Sequence, residues 1–337
     1  RSGDLFSALA TIAPPTAMTT IHRLLALSSL ATLPLASVAA DVDPAIPAYA
    51  PAAPVSGSLI SMGSDTLNNL MTYWAEGFKA KHPGVTLQIE GKGSATAPPA
   101  LISGTAQLGP MSREMKQEET DAFEKKFGYK PTEIKVAVDA LAVFAHKDNP
   151  IKGLTLQQVD AIFSATRKLG GPADITDWGQ LGIDAWKGRP ISLFGRNSAS
   201  GTYGFFKEHA LGKGDFKNHV KEQPGSSAVV QGVSTDLYAL GYSGIGYITS
   251  GVRAVPIGET PDTLAEATYE NALSGDYPMA RFLLIYINKK PGQPLDNLTA
   301  EFIKFIQSKE GQSIVLKDGY YPLPKEVVDE TQAALAR

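Results

Sequence analysis

The residues best suited to chemistry lie in Arg196-Asn197-Ser198-Ala199-Ser200-Gly201-Thr202. The apolar run Ile191 to Phe194 precedes them, and Phe205, Phe206 and Ala210 follow at helical spacing. The order predicts a strand, a polar turn and a helix that starts at Ser200, Gly201 and Thr202. A helix start presents unpaired N–H groups and a partial positive charge, which suit an oxyanion. The two hydroxyls add donors, Gly201 lets backbone come close, and Arg196 offers a forked cation for phosphate or carboxylate. The plain alternative is a Ser200 N-cap beside a surface Arg196.

Two further stretches share this build. Leu59-Ile60-Ser61-Met62 runs into Gly63-Ser64-Asp65-Thr66-Leu67, and Leu67, Leu70, Met71, Trp74 and Phe78 then fall on one helical face. Val85 to Ile89 alternates as a strand and runs into Gly91-Lys92-Gly93-Ser94-Ala95-Thr96. Three strand–turn–helix units with hydroxyls at the helix start imply one shared site for a small tetrahedral anion.

Other chemistries find little support. His22, His82, His146, His209 and His219 are scattered without an HxxxH or HExxH pair, so no metal site is expected. There is no G-x-S-x-G elbow and no P-loop, and Gly91-x-Gly93 lacks the third glycine of a dinucleotide fingerprint. No catalytic residue and no cofactor are expected. The chain has no Cys, which removes thiol catalysis, thiolate metal sites and a lipid-anchored N-terminus. A net charge of −3 over 337 residues argues against nucleic acid or an anionic membrane as the main partner.

The length allows two domains with full cores. Met18, the polar His22-Arg23, the apolar Leu24 to Leu35 and Val38-Ala39-Ala40 have the order of a secretory leader, cut before Asp41. Residues 1–17 read as upstream sequence, 18–40 as the leader and 41–56, rich in Ala and Pro, as an extended arm. Strands and helices then alternate, predicting an α/β fold with largely parallel sheets. Ile134 to His146 outruns an ordinary strand and is read as crossing between domains, with Arg281 to Asn288 as its hinge partner. Ser112 is expected to cap a charged helix from Arg113 to Phe127, and Ile245 to Ile248 is expected to be a strand.

With these segments in place, the chain resembles the periplasmic phosphate-binding proteins of the phosphate-specific (Pst) ABC transporter. The motifs that carry the likeness run from about residue 57 to 325. They are Gly63-Ser64-Asp65-Thr66-Leu67, Gly93-Ser94, Gly109-Pro110-Met111-Ser112-Arg113-Glu114, Val138-Asp139-Ala140-Leu141-Ala142-Val143, Arg196-x-x-x-Ser200-Gly201-Thr202, Gly244-Ile245-Gly246-Tyr247 and Asp318-Gly319-Tyr320. The pseudomonad and xanthomonad branch is the one it most resembles. The resemblance implies the type II periplasmic-binding-protein fold, two α/β lobes joined by two hinge strands around a ligand cleft. Lobe I would comprise 57–140 and 280–337, and lobe II 141–279. It also implies a monomer, released into the periplasm by leader cleavage, that hands inorganic phosphate to an inner-membrane ABC permease.

Carried over, the ligands would be the Thr66 and Leu67 backbone N–H groups beside Asp65, then Ser94, Arg196, Ser200, Gly201 and Thr202, with Ser64, Ser112 and Asp139 as secondary candidates. Some members place an aspartate where this chain has Ser112. Hydrogen phosphate carries a proton that needs an acceptor, and Asp65 and Asp139 are the candidates, with Asp65 favoured by its place next to Thr66. Asp139, inside an apolar run, has a hinge-side hydrogen bond to backbone as its alternative role. Arg113 has either aspartate or solvent open to it. The other functions weighed are a binder of sulfate, molybdate or another oxyanion and a secreted phosphomonoesterase, for which no activated nucleophile is visible.

Overall fold

The computed structural model describes residues 40–336. The upstream stretch and, apart from Ala40, the expected leader lie outside them. In chain order, β1 (Gly57–Met62) leads through a 3-10 turn into α1 (Asn68–Lys81), and β2 (Val85–Glu90) leads likewise into α2 (Ala97–Ser103). There follow β3 (Gly109–Met111), α3 (Gln117–Phe127), β4 (Thr132–Ala140), β5 (Ala142–His146), β6 (Leu154–Thr155), α4 (Leu156–Phe163) and β7 (Ser192–Arg196). Next come α5 (Gly201–His209), β8 (Lys221–Gln223), α6 (Ser226–Ser234), β9 (Ala239–Ser243), β10 (Val252–Ala254), β11 (Ile257–Gly258) and α7 (Tyr269–Ser274). The chain ends with β12 (Ala280–Ile287), α8 (Asn297–Ile306), α9 (Lys309–Lys317) and α10 (Lys325–Ala336).

These elements form two α/β lobes. One holds the parallel pair β1–β2 and the sheet β3-β12-β4, and the other holds the sheet β10-β5-β9-β7-β8 and the pair β11–β6. In the first lobe α1 buries the face read from its spacing: Leu70, Met71, Trp74 and Phe78 are fully enclosed, and Trp74 Nε1 donates to Gly311 O at 2.9 Å. Each such side chain contributes about 1.5–3 kcal/mol. α2 stops where Gly104 takes the left-handed conformation, with φ 76°.

Two chain passages join the lobes. The apolar run from Ile134 to His146 is two strands and not one. β4 pairs with β12, and beyond Leu141, whose N–H donates to Met279 O at 3.0 Å, β5 joins the other sheet. β12 runs back antiparallel to β4, with Arg281 opposite Asp139 and an irregularity between Leu283 and Leu284. The three-stranded sheet is therefore wholly antiparallel and the five-stranded one mixed, where largely parallel sheets were expected, because a strand that returns beside the outgoing one runs against it.

Two local readings are corrected by what competes for the backbone. Ser112 does not cap α3. Glu119 Oε2 accepts the Lys116 N–H at 2.8 Å and its carboxylate also clamps Arg113, which holds 113–116 out of the helix. Arg113 thus pairs with neither aspartate. Ile245 to Tyr247 is a 3-10 turn and not a strand, since Tyr247 N–H bonds Gly244 O and Ile245 N–H bonds the Asp139 carboxylate. The arm forms no helix or strand, yet it is fastened. Tyr49 is buried and its hydroxyl donates to Glu301 while meeting His82 Nε2, both at 2.7 Å.

Where the lobes meet behind β4, Gly246 packs on the Tyr320 ring and the Asp318 backbone. Burial pushes the Asp318 carboxyl from 3.8 up to about 7. A raised acid pKa means that the folded state disfavours the carboxylate, so stability is complete below the ordinary value and is lost as pH climbs through about 7. Asp318→Asn should therefore raise the melting temperature relative to wild type at about pH 8 and leave it unchanged at about pH 4. Thermal melts at the two pH values check this, and an equal gap at both would show that the carboxyl does not titrate in this range.

Candidate functional site

The three turns meet. Ser64 Oγ accepts the Thr66 N–H at 3.2 Å and donates to Ser112 Oγ at 2.9 Å. Ser94 Oγ accepts the Ser112 N–H at 3.0 Å and lies 3.4 Å from Ser112 Oγ. From the other lobe, Thr202 Oγ1 meets Thr66 Oγ1 at 2.8 Å. Ser64, Thr66, Ser94, Ser112 and Thr202 are all buried. The Leu67 N–H reaches Ser64 O at 3.3 Å, and its side chain sits in the core. The seam also carries a backbone bond, Ala95 N–H to Ala199 O at 3.1 Å.

Local sequence makes this packing possible. Ser200 Oγ accepts the Tyr203 N–H at 3.3 Å, so Ser200 is the N-cap of α5. That leaves the N–H groups of Gly201 and Thr202 at the helix start, ahead of the first intrahelical acceptor. A Cβ on Gly201 would overlap Ser94 Oγ and lie 2.6 Å from Ser112 Oγ, so glycine is what lets α5 approach the first lobe. Gly93, with φ 124°, faces Ala199 in the same tight way.

Two ion pairs accompany the hydroxyls, one half-buried on its carboxylate side and one buried throughout. Arg196 is 1% exposed, so it is no surface arginine. It donates to Ser226 Oγ at 2.6 Å and to Pro224 O at 3.3 Å, and faces Asp65 Oδ2 at 3.2 Å. Burial lowers its pKa from the ordinary arginine value, and Asp65 opposes that shift. Its Nε is buried without a hydrogen-bond partner. Asp65 Oδ2 also accepts the Ser226 N–H at 2.8 Å, and Tyr247 OH donates to Asp65 O at 2.8 Å, so Asp65 is held from the opposite lobe. Tyr320 OH donates to Thr66 O at 2.9 Å.

The second pair is Asp139 with Arg281. Asp139 Oδ1 accepts the Ile245 N–H at 2.9 Å, and Oδ2 accepts from Arg281 Nε and Nη2 at 2.9 and 2.7 Å. The backbone bond expected as its alternative role is present, with a cation added. Sequence reasoning missed Arg281, Ser226 and Tyr247. Only Arg281 left a signal, as a lone cation in an apolar strand read as the partner of the strand that carries Asp139.

A site at the seam of two α/β lobes joined by two strands, lined with hydroxyls and helix-start N–H groups, defines a solute-binding protein of the two-lobed class. Residues 48–310 match the family described as a PBP superfamily domain. The phosphate-binding protein PstS of Pseudomonas aeruginosa is 58% identical over 88% of this chain and 92% of its own length. A Clostridium perfringens structure described as a phosphate ABC transporter substrate-binding protein with bound phosphate is 30% identical, covers 80% of this chain and all of its own, and superposes with a TM-score of 0.67. An ABC-type phosphate transport receptor from Vibrio cholerae, at 24% identity over 79% of this chain and all of its own, shares the fold with a TM-score of 0.61. The chain belongs to the PstS family of phosphate-binding proteins within the PBP superfamily.

Gly201→Ala should keep the lobes from meeting at Ser94 and Ser112, with little effect on either lobe alone. The expected outcome is a larger radius of gyration in solution scattering and weakened anion binding. Wild-type scattering and affinity would show that the seam tolerates the extra methyl.

Proposed function

We propose that the hydroxyl cluster and Arg196 hold inorganic phosphate between the lobes, and that the protein delivers it to an ABC permease for import. The observation that carries this reading is the buried Arg196 guanidinium with its unpartnered Nε, beside the start of α5. Asp65 balances its charge, and the spare Nε donor is suited to an oxygen of a bound anion. The hydroxyls fit the same ligand. Ser94 and Ser200 each accept from a fixed N–H, so each has its proton left to give, while Ser64 passes its own to Ser112. A set of converging donors suits an oxyanion, whose oxygens accept at every position. The proposed ligands are the Thr66 and Leu67 N–H groups, Ser94, Arg196, Ser200, Gly201 and Thr202, with Ser64 and Ser112 completing the hydroxyl cluster.

Asp65 is the proposed acceptor for the phosphate proton. Asp139 is less suited, since both of its oxygens already accept bonds. Phosphate touches both lobes in this scheme, so it favours the closed arrangement by its differential contacts. The lobes divide at about 140 and 280. The proposed site of action is the periplasm, into which cleavage of a leader ending at Ala40 would release the protein as a monomer. No described helix is long and apolar enough to cross a membrane.

Calorimetric titration of the protein with phosphate and then with sulfate tests the reading, and tight sulfate binding with weak phosphate binding would overturn it. Arg196→Ala should cost about 2–5 kcal/mol of phosphate affinity, roughly thirtyfold to several thousandfold. A wild-type dissociation constant would remove Arg196 from the site. Sites built around one required hydrogen bond reject the analogue that lacks it by about 10⁴–10⁵. Asp65→Asn, which can donate to sulfate, should therefore narrow the phosphate-over-sulfate preference by about tenfold or more, or about 1.4 kcal/mol. If only Asp139→Asn narrows it, Asp139 is the acceptor.

A further inference from the structure

We propose that Arg281 is a positioning residue of the anion site, one that turns the Thr202 hydroxyl into a fixed donor when the lobes close. The inference rests on the reading of Thr202 as a phosphate ligand.

Arg281 lies on β12 with its side chain 3% exposed. Its guanidinium donates to Asp139 Oδ2 from Nε at 2.9 Å and from Nη2 at 2.7 Å, to Ser112 O from Nη1 at 2.6 Å and to Thr202 Oγ1 from Nη2 at 2.9 Å. An arginine has five N–H donors, and protein groups take four of them here, so its fork is not free to grip an anion. The Phe205 ring covers the group, with the guanidinium carbon 5.1 Å from the ring centroid. Asp139 and Ser112 belong to the lobe that carries β4 and β3, while Thr202 sits at the start of α5 in the other. Three of the four bonds fix the guanidinium from the hinge side, and the fourth crosses the seam.

That fourth bond decides what Thr202 can do. A hydroxyl that accepts from a cation is polarised, and its proton is the group left to give. In the structure Thr202 Oγ1 lies 2.8 Å from Thr66 Oγ1, on the cluster proposed to face the anion. The bond needs α5 against the first lobe, so the donor is aimed only in the closed arrangement. Asp139 balances the charge of Arg281, so the effect on the ligand is local and works through Thr202.

The test is a double-mutant cycle on inorganic phosphate binding, read by calorimetry on the full chain with Arg281→Lys, Thr202→Val and the double variant. Lysine keeps a cation for Asp139 but cannot bridge Asp139, Ser112 and Thr202 at once. Each single change should weaken binding by about tenfold or more, and the double variant should bind about as weakly as the weaker single one. If Thr202→Val weakens binding while Arg281→Lys leaves it unchanged, or if the two losses multiply in the double variant, the inference fails and the site reading stands. Wild-type affinity in Thr202→Val sinks the site reading and the inference with it. Should Arg281→Lys fail to fold, Asp139→Asn with Arg281→Gln, which removes both charges together, takes its place in the same cycle.

Discussion

The carboxylate of Asp139 sits with no exposure near the end of a largely apolar strand, and the rest of the structure is arranged to keep it there. Removing one partner of a buried ion pair costs about 3–5 kcal/mol. The counter-charge must come from the neighbouring strand, which ties the β4–β12 register to Arg281 opposite Asp139. A slip of one residue would turn Arg281 to the other face of the sheet. The same carboxylate holds the Ile245 N–H, and through it the Gly244–Tyr247 turn that supplies the hydroxyl bound to Asp65 O. One buried charge thus sets the hinge register, the position of a turn in the second lobe and the hold on the first anion turn.

The seam between the lobes follows a second economy. Its lining charges are paired, Arg196 with Asp65 and Arg281 with Asp139, while its hydroxyls have acceptor positions filled by N–H groups. Such a site has little net charge and many aligned dipoles. It can stabilise an anion by oriented donors in a region of low dielectric, where each counts for more than it would in water. Gly201 is the steric condition for this arrangement, since any side chain there would stand where the Ser94 hydroxyl is.

Much of this was legible in the chain because it is local. The buried face of α1 and the β2 strand follow from spacing. The three turns that meet at the seam were likewise visible as strand, hydroxyls and helix. What was not legible depends on partners far away in sequence. The break at Leu141 is set by Met279, the shape of Ile245–Tyr247 by Asp139, and the unwound 113–116 by Glu119. The role of Arg281 depends in the same way on a carboxylate 142 residues away, and a lone cation in an apolar strand is the one trace it leaves. The α9 helix escaped notice because it follows α8 after a brief break, marked only by the Ser308 hydroxyl that accepts the Gly311 N–H.

The two passages between the lobes lie side by side, joined by the bond from Leu141 to Met279. A single crossing would be a swivel, free to rotate about its own bonds. Two adjacent crossings resist that twist and leave bending as the soft motion. The second lobe is therefore geared to the first like a door on a two-pin hinge. Among the described residues the pins are also the only chain connections between them, so everything between Leu141 and Met279 enters and leaves at one edge. Both the fastened arm and α10 lie on the frame side of that hinge, so a weight hung on either described end of the chain would load the frame and leave the swing of the door unchanged.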